Sequence, residues 1–480
     1  MNLKMIARIQ GYVLLCLAAL LILPLTAGLC YGESVLGFLI TMGIAAVLGG
    51  ALVLFFRPSV TDLYAKEGFA SVGLAWIVMS LLGALPFVIS GDIPNYIDAV
   101  FETASGFTTT GASILNDVES LSRGGLFWRS TTHWIGGMGV LVFLMAVLPL
   151  GEGRAMHIMR AEVPGPTVGK LVPRARKTAA ILYLIYLGLT VAETIFLLLG
   201  GMSFYDAILH AFASAGTGGF STRGASIAAF DSVYIEMVIS VFLLLFGVNF
   251  NLYYLILIGR ARDALKSEEL HCYLGLLAFA TLTIAGSIFR LYGSVGASLR
   301  HAFFNTVSLL TTAGFGTEDF TRWPGYAQAL LVLLMFIGGC AGSTGGGLKL
   351  SRVILLVKTA GADLQKMIRP RSVPRVQMDG RRVGRETTDA VYGYFALYML
   401  LLLGCTLILS LDGYDFATNF TASLSCMSNI GPGLGLVGPT GNFAIFSALS
   451  KIAMTLTMLC GRLEIYAVVI LFIPSTWKNR

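Results

Sequence analysis

A glycine-centred pattern recurs four times along this chain and constrains its fold more than any other feature. Aligned on Gly111, Gly219, Gly314 and Gly431, the local strings read TTTGAS, GTGGFS, TTAGFG and SNIGPG. Hydroxyl or amide residues precede each glycine, and a segment of helical character precedes each string. The four glycines are 108, 95 and 117 residues apart, about the length of a helix, a loop and a second helix. The spacing therefore predicts a structural unit that is repeated four times.

The residue types in these four loops are suited to binding a dehydrated cation. Glycine adopts positive φ and tolerates a close neighbour, so a short run around it can turn its carbonyls to one side. Rings of carbonyls can replace the water shell of an ion, whose transfer into a medium of low dielectric costs on the order of 20 kcal/mol in the idealised limit. A single copy is more often an ordinary turn, but four copies favour a selectivity filter. The predicted filter residues are Thr109, Thr110, Gly111, Thr217, Gly218, Gly219, Thr312, Ala313, Gly314, Asn429, Ile430 and Gly431.

The composition places these loops in a membrane. Of the 480 residues, 56% are hydrophobic and 12% are charged, and the mean hydropathy is +0.79, values typical of a polytopic membrane protein. The first apolar run leads into a second span without a small-residue cleavage site, so it predicts a retained anchor. Seven cysteines without CxxC spacing are typical of reduced packing residues at lipid depth.

Stretches of about 20 apolar residues predict ten membrane crossings. Two precede the repeats, near residues 9–31 and 35–56. The paired spans of the repeats lie near residues 68–90 and 126–149, 178–200 and 233–258, 270–292 and 326–365, and 390–411 and 443–472. The predicted fold is an all-α polytopic membrane protein, with two N-terminal spans and four repeats of span, half helix, filter loop and span around a central pore. The predicted boundaries are 1–60 for the two extra helices and 61–150, 151–262, 263–368 and 369–480 for the repeats.

The distribution of charge predicts the orientation in the membrane. Basic clusters all fall on one side if both termini are cytoplasmic, in agreement with the positive-inside rule. They comprise Lys4, Arg8, Arg57, Arg154, Arg160, Lys170, Arg174, Arg176, Lys177, Arg260, Arg262, Lys266, the stretch 358–385, Lys478 and Arg480. Acidic residues on the opposite side predict an outer vestibule that concentrates cations; ordinary solvated loops and helix caps are the alternative, and both can be true. They are Asp92, Asp98, Glu102, Asp117, Glu119, Asp206, Asp231, Glu318, Asp319, Asp412 and Asp415.

The second span of the third repeat contains a run of small residues, GGCAGSTGGG, that no continuous helix favours. Each glycine costs up to about 1 kcal/mol relative to alanine, so a break is expected, and irregular backbone at membrane depth requires protein or a water-filled cavity around it. A loop beneath the filter is suited to gating, with Arg462 in the last span as a cationic barrier or a donor to the loop; local pairing or snorkelling of Arg462 is the alternative. The predicted gate residues are Gly338, Gly339, Gly342, Ser343, Thr344, Gly345, Gly346, Gly347, Lys349 and Arg462. The run lacks the spacing of a nucleotide-binding phosphate loop.

These motifs together resemble those of the Trk/Ktr/HKT superfamily of potassium transporters, specifically its TrkH-type bacterial subunits. The resemblance covers the whole chain, including the two additional N-terminal spans. It depends on FETASGFTTTGAS, WIGGMG, ASAGTGGFST, GGCAGSTGGGLK, SNIGPGLG and GRLEIY. It implies a homodimer with one pore per protomer, in the cytoplasmic membrane of a bacterium. It also implies a selectivity filter at the four loops and a cytosolic, TrkA-type nucleotide-binding ring that gates the pore.

The function expected from the sequence is therefore potassium uptake through a gated pore. Potassium is expected as the transported and filter-bound ion, the lipid bilayer as the surroundings, and neither a covalently bound cofactor nor a nucleic acid as a partner. A sodium-permeable or weakly selective transporter of the same superfamily is the main alternative. An enzyme is disfavoured because the five histidines are dispersed, and a carrier with inverted repeats is disfavoured because the four repeats run in the same direction.

Overall fold

The computed structural model describes residues 1–56, 65–139, 175–372 and 375–477, and within these ranges the ordered elements are almost all helices. Two helical segments, Leu3–Leu20 and Ile22–Cys30, form the first N-terminal span, and Leu36–Phe55 forms the second. Gly11 and Gly49 let these spans approach closely, because a Cβ on either glycine would lie 2.9 Å from the carbonyl oxygen of the other. The Gln10 side chain donates to the Ser71 carbonyl at 2.9 Å and joins this pair of spans to the first repeat.

Each repeat begins with a long helix. In the first repeat this helix comprises Ala65–Gly83 and Leu85–Ser90, and the other three repeats begin with Ala175–Leu199, Glu268–Tyr292 and Arg385–Leu409. Six helical stretches in the described residues are long and apolar enough to cross a membrane, namely these four and the two N-terminal spans. These spans agree with the polytopic helical fold that the sequence predicts.

A short helix follows in each repeat, and we call these four elements the pore helices. They are Tyr96–Phe107, Phe204–Gly216, Val295–Leu310 and Phe416–Ser428, of 12, 13, 16 and 13 residues. A membrane-spanning helix needs about 20 residues, so the pore helices enter the membrane without crossing it. Side chains cap all four N-termini by accepting backbone N–H groups, which fixes where each helix starts: Asn95, Ser203, Ser294 and Asp415.

The second helices of the repeats differ from the continuous spans expected at 233–258 and 443–472. In the second repeat, Val233–Phe246 and Phe250–Leu257 are bent by 88°, and in the fourth, Ala448–Arg462 is followed by a break and the short helix Tyr466–Val469. The third repeat breaks between Gly325–Ile337 and Leu350–Ile368, as its glycine density predicts.

The second helix of the first repeat is described as Arg123–Met138. The rest of the expected span 126–149 lies outside the described residues, as do Arg57, Arg154, Arg160, Lys170, Arg174, Lys478 and Arg480.

A two-stranded hairpin lies between the third and fourth repeats. Its strands, Gln377–Met378 and Arg381–Arg382, pair antiparallel, and we call this element the basic hairpin. Smaller helical elements complete the described chain: Ser226–Phe230, Ala261–Ala264, Phe320–Arg322, Ser410–Asp412, Gly435–Val437, Ile470–Phe472 and Pro474–Trp477.

Candidate functional site: a ring of four loops and the segment beneath it

The four pore helices end in the same backbone conformation. The first or second residue after each pore helix adopts left-handed φ: Thr109 at 53°, Thr217 at 52°, Thr312 at 63° and Asn429 at 56°. The next residue in each loop then donates its N–H to the carbonyl five positions earlier. These bonds are Thr110 to Ser105, Gly218 to Ala213 and Ala313 to Ser308, each 2.8 Å, and Ile430 to Ser425, 3.0 Å. The repeated bond is a helix-ending turn of the Schellman type, and it starts all four loops alike.

Two residues after each left-handed residue, the aligned glycine also has positive φ. The angles are 77° at Gly111, 77° at Gly219, 78° at Gly314 and 104° at Gly431. Along each loop, φ alternates between positive and negative values. Successive peptide planes are therefore turned over, and consecutive carbonyls point to the same side. A side chain at these positions would be strained, which explains why glycine stands in all four loops.

The four loops contact one another in a closed ring. A Cβ built on Gly111 would overlap the carbonyl oxygen of Gly218, one on Gly219 that of Ala313, and one on Gly314 that of Ile430. A Cβ on Gly431 would lie 3.0 Å from the carbonyl oxygen of Thr110. The fourth loop therefore contacts the first, which closes the ring. Each glycine therefore faces the carbonyl that precedes the glycine of the next repeat. This arrangement places four equivalent carbonyls around one axis.

All four glycines open into one cavity of about 150 Å³. The described residues that line it include Arg129 and Arg223 but no aspartate or glutamate. Some of the acidic residues serve as helix caps and ion-pair partners, and the vestibule expected from the sequence stays a prediction. Glu119, for example, accepts the Gly224 N–H at 2.9 Å, and this bond lowers the pKa of its carboxyl.

A buried ion pair supports the ring from behind. Arg129 Nε lies 2.6 Å from Glu102 Oε1, and both side chains are almost fully buried. Glu102 also accepts the N–H of Ile114 at 3.0 Å, while Arg129 donates to the Ser221 carbonyl at 3.0 Å. The pair thus joins the first of the four loops to the second. Removal of one partner would leave a buried charge uncompensated, a change that costs about 3–5 kcal/mol in other proteins.

The segment Gly338–Lys349, which we call the intramembrane loop, lies directly below the ring. Gly345 and Gly346 pack against the carbonyls of Thr311 and Ser428, the residues just before the left-handed residues Thr312 and Asn429. The Gly346 N–H donates to Thr312 Oγ1 at 2.6 Å, so a side chain of the ring holds the loop directly.

The ends of the intramembrane loop lie side by side. A Cβ on Gly338 would collide with the backbone of Gly346 and Gly347, and Leu348 N–H donates to the Phe336 carbonyl at 3.1 Å. Glycine is therefore needed where the chain leaves the helix and returns to it.

The intramembrane loop forms hydrogen bonds with the bend in the second helix of the second repeat. The carbonyl of Gly247 accepts the Cys340 N–H at 2.9 Å, and the Phe250 N–H donates to the Gly342 carbonyl at 3.1 Å. Carbonyls that a continuous helix would have used internally are thus satisfied by the loop. This is a physical reason why the span 233–258 is bent rather than continuous.

Two buried cations hold the middle of the loop. Arg462 donates to the Thr344 carbonyl and to the carbonyls of Gly136 and Gly137, each at 2.6 Å. Lys349 Nζ donates to the Gly345 carbonyl and lies 3.3 Å from Ser343 Oγ. Arg462 therefore connects the fourth repeat to the first and to the loop of the third, and local snorkelling does not describe its position.

Several residues at this site were not found from the sequence. Glu269 and the hinge around Asn249 contact the loop, and Arg352 forms an ion pair with Glu464. An acidic residue at the start of an apolar span was a possible signal for Glu269. Nothing in the local sequence indicated that its partner would be the loop, 72 residues away.

Comparison with known proteins agrees with this geometry. A family model described as TrkH, a cation transport protein, matches residues 37–479. The chain belongs to the TrkH family. It is 38% identical to the Trk system potassium uptake protein TrkH of Salmonella typhimurium and 34% identical to TrkG of Escherichia coli K12, with 99–100% of each protein covered. The crystal structure of the potassium transporter TrkH from Vibrio parahaemolyticus matches the whole chain with a TM-score of 0.89 at 34% identity.

Membership of the TrkH family confirms the resemblance that the six motifs indicated. The chain is a multi-span membrane transporter of a bacterial Trk type. The family model begins at residue 37, so the first N-terminal span lies outside it, whereas the full-length relatives and the crystal structure cover that span.

Proposed function

We propose that this protein takes up potassium across the bacterial cytoplasmic membrane through a channel-like pore whose selectivity filter is the ring of four loops. The contact of each filter glycine with the carbonyl of the next repeat carries this proposal, because it closes a ring of backbone oxygens around one axis. The relatives of the TrkH family whose names state a substrate are potassium uptake proteins. Orientation of both termini toward the cytoplasm, as the basic clusters predict, is part of the proposal.

Backbone oxygens and helix ends act together at such a ring. Thr110, Gly218, Ala313 and Ile430 supply the equivalent carbonyls. The C-terminal ends of the four pore helices lead into the loops, and the negative end of each helix dipole stabilises a cation there. The ion is therefore held without a carboxylate, which would bind it too tightly for rapid release.

Ion flux through purified protein in proteoliposomes tests this proposal. With equal inward gradients, potassium uptake is expected to exceed sodium uptake at least about tenfold, the discrimination that about 1.4 kcal/mol supplies. Equal rates for the two ions would favour the sodium-permeable or weakly selective alternative. A protein-free liposome sample and a heat-unfolded sample provide the baseline.

The intramembrane loop is the gate in this proposal. Its small residues, from Gly338 to Gly347, lie across the axis below the ring, and Arg462 and Lys349 hold their carbonyls. The two cations also repel an ion that waits beneath the filter. Movement of the loop would open the pore without changing the ring.

We further propose that the protein is a homodimer with one pore per protomer and that a cytosolic TrkA-type nucleotide-binding ring controls the gate. The basic hairpin and its flanks carry exposed cations, including Arg369, Arg381, Arg382 and Arg385. They are suited to an acidic partner surface, and anionic lipid headgroups are the alternative.

Charge reversal tests the partner assignment. Glu in place of Arg381, Arg382 and Arg385 together is expected to reduce co-purification with the cytosolic ring in lipid-free detergent about tenfold or more. Arg322→Glu, which changes an exposed arginine far from the hairpin in sequence, serves as the control. Full recovery of the complex by the triple variant would favour the lipid interpretation.

A further inference from the structure

Glu269 lies in the first turn of the helix Glu268–Tyr292, and its side chain is buried against the base of the intramembrane loop. One of its oxygens, Oε1, accepts the Ala341 N–H at 2.7 Å and the Ser351 N–H at 3.1 Å. Ala341 is in the first part of the loop, and Ser351 is in the first turn of the helix that follows it. A single carboxylate oxygen therefore joins the first part of the loop to the start of the helix that follows it.

The Ser351 N–H needs an external acceptor. The helix Leu350–Ile368 has no side-chain cap of its own, so its first N–H groups have no acceptor within the helix. Glu269 Oε1 supplies this acceptor at 3.1 Å. The same oxygen satisfies a loop donor, so the helix start and the loop are held in one arrangement.

The preceding residue, Glu268, connects this contact to the basic hairpin. The Glu268 N–H donates to Asp379 Oδ1 at 2.7 Å, and its carboxylate pairs with Lys358. Lys358 also donates to the Gln377 carbonyl at 2.8 Å. The hairpin is therefore docked on the first turn that carries Glu269 and on the helix that follows the loop.

We propose that Glu269 is the positioning residue of the gate. Its Oε1 holds the first part of the intramembrane loop against the start of the following helix in the shut arrangement, and displacement of the basic hairpin releases this contact through Glu268. The proposal rests on the proposed function of the loop as a gate. It goes further by assigning the link between the cytoplasmic surface and the loop to two adjacent glutamates.

Substitutions at Glu269 separate hydrogen-bond acceptance from charge and from packing. Both N–H groups donate to Oε1, so Glu269→Gln keeps a suitable acceptor and is expected to retain wild-type potassium flux in the absence of the partner. Glu269→Asp keeps the charge but is one methylene too short, and Glu269→Leu fills the space without an acceptor. Both are expected to raise flux about tenfold, because two buried donors lose their acceptor. The Gln variant thus provides rescue by a conservative change.

Glu386→Leu is the matched control, because Glu386 is an exposed acidic residue in the first turn of the corresponding helix of the fourth repeat. It is expected to leave flux unchanged. If the Leu variant does not fold, as judged by size-exclusion chromatography, the potassium fluxes of the Gln and Asp variants decide. The proposal expects a higher flux in the Asp variant than in the Gln variant. Equal, raised flux in Gln and Leu together with wild-type flux in Asp would show that charge is needed and would overturn the proposal. Wild-type flux in both Asp and Leu would overturn it as well.

The proposed link between the basic hairpin and Glu268 is tested separately. Asp379→Ala removes the acceptor for the Glu268 N–H, and we expect it to reduce the response of flux to the cytosolic ring at least about threefold while the complex still co-purifies. An unchanged response would overturn the hairpin link. If Arg462→Ala raises flux and Glu269→Leu does not, the gate stands and the role of Glu269 fails. If neither variant raises flux, the proposed gate itself fails.

Discussion

The ring of four loops and the intramembrane loop contact each other directly, but the ring is symmetric and the segment beneath it is not. In the ring, all four loops share the same turn, a residue with left-handed φ at the same position, and a glycine two residues later. Below it, the second helix differs from repeat to repeat. From the first repeat to the fourth, it ends near Met138, bends at Gly247, breaks at Gly338 and breaks at Leu463. A symmetric ring suits a spherical ion. An asymmetric segment suits an element that moves to one side.

The difference also appears in the chemistry of the contacts. The loops of the ring are held by close backbone packing against one another and by the buried ion pair of Arg129 and Glu102. The intramembrane loop is held by backbone hydrogen bonds to Gly247 and Phe250 and by side chains that donate to its carbonyls, chiefly from Arg462 and Lys349. In the gate proposal, the loop exchanges these hydrogen bonds while the ring keeps its packing.

The largest effect is expected from substitutions inside the ring. Gly111→Ala, Gly219→Ala and Gly314→Ala each place a methyl group against a carbonyl of the next loop at positive φ, and we expect the potassium-to-sodium flux ratio to fall about tenfold or more. Gly431→Ala is expected to be milder, because its Cβ would lie 3.0 Å from the nearest carbonyl. Proteoliposome flux with both ions measures the ratios. Four equal losses would mean that the ring is more symmetric than its contacts indicate.

A smaller effect is expected from Arg462. Arg462→Ala removes three charge-assisted hydrogen bonds from loop and helix carbonyls, and we expect potassium flux without the partner to rise about tenfold at an unchanged ion ratio. Arg462→Lys keeps the charge but lacks the guanidinium fork that reaches three carbonyls. Partial opening of the Lys variant would identify the hydrogen bonds as the restraint. A fully shut Lys variant would identify the positive charge instead.

The smallest effect is expected at Thr312, the residue whose side chain belongs to both regions. Thr312→Val removes the hydroxyl that accepts the Gly346 N–H but keeps the shape of the side chain, so flux without the partner should rise about threefold. Thr312→Ser retains the hydroxyl and is the control. A changed ion ratio in Val but not in Ser would show that this hydroxyl belongs to the filter rather than to the restraint on the loop.

The sequence was most informative about the ring, because its determinants are local. Glycine is required by positive φ at Gly111 and its three counterparts, and the residues before each glycine follow a short helix whose cap is visible in the sequence. Four copies of one local solution are recognisable without knowledge of the fold. The break at Gly338–Gly347 was predictable for the same reason.

The contacts below the ring could not be predicted, because they join residues that are distant along the chain. Arg462 and Gly136 are 326 positions apart, and Glu269 and Ser351 are 82 apart. The bend at Gly247 also depends on a partner, since the Gly247 carbonyl accepts the Cys340 N–H of the loop. Hydropathy at 233–258 and 443–472 indicated apolar spans but not the bend at Gly247 or the break after Arg462, because it carries no information on such partners.

The most direct test of the separation between ring and loop is one variant in which both quantities are measured. Deletion of Ser343–Gly346 removes the part of the loop that lies against Thr312 and Arg462, while all twelve predicted filter residues remain. Potassium and sodium fluxes are measured in proteoliposomes without the cytosolic partner, for protein that elutes as wild type. The account predicts a potassium flux at least about tenfold higher with the wild-type potassium-to-sodium ratio. A flux that does not rise, or a ratio that falls toward one, would contradict it.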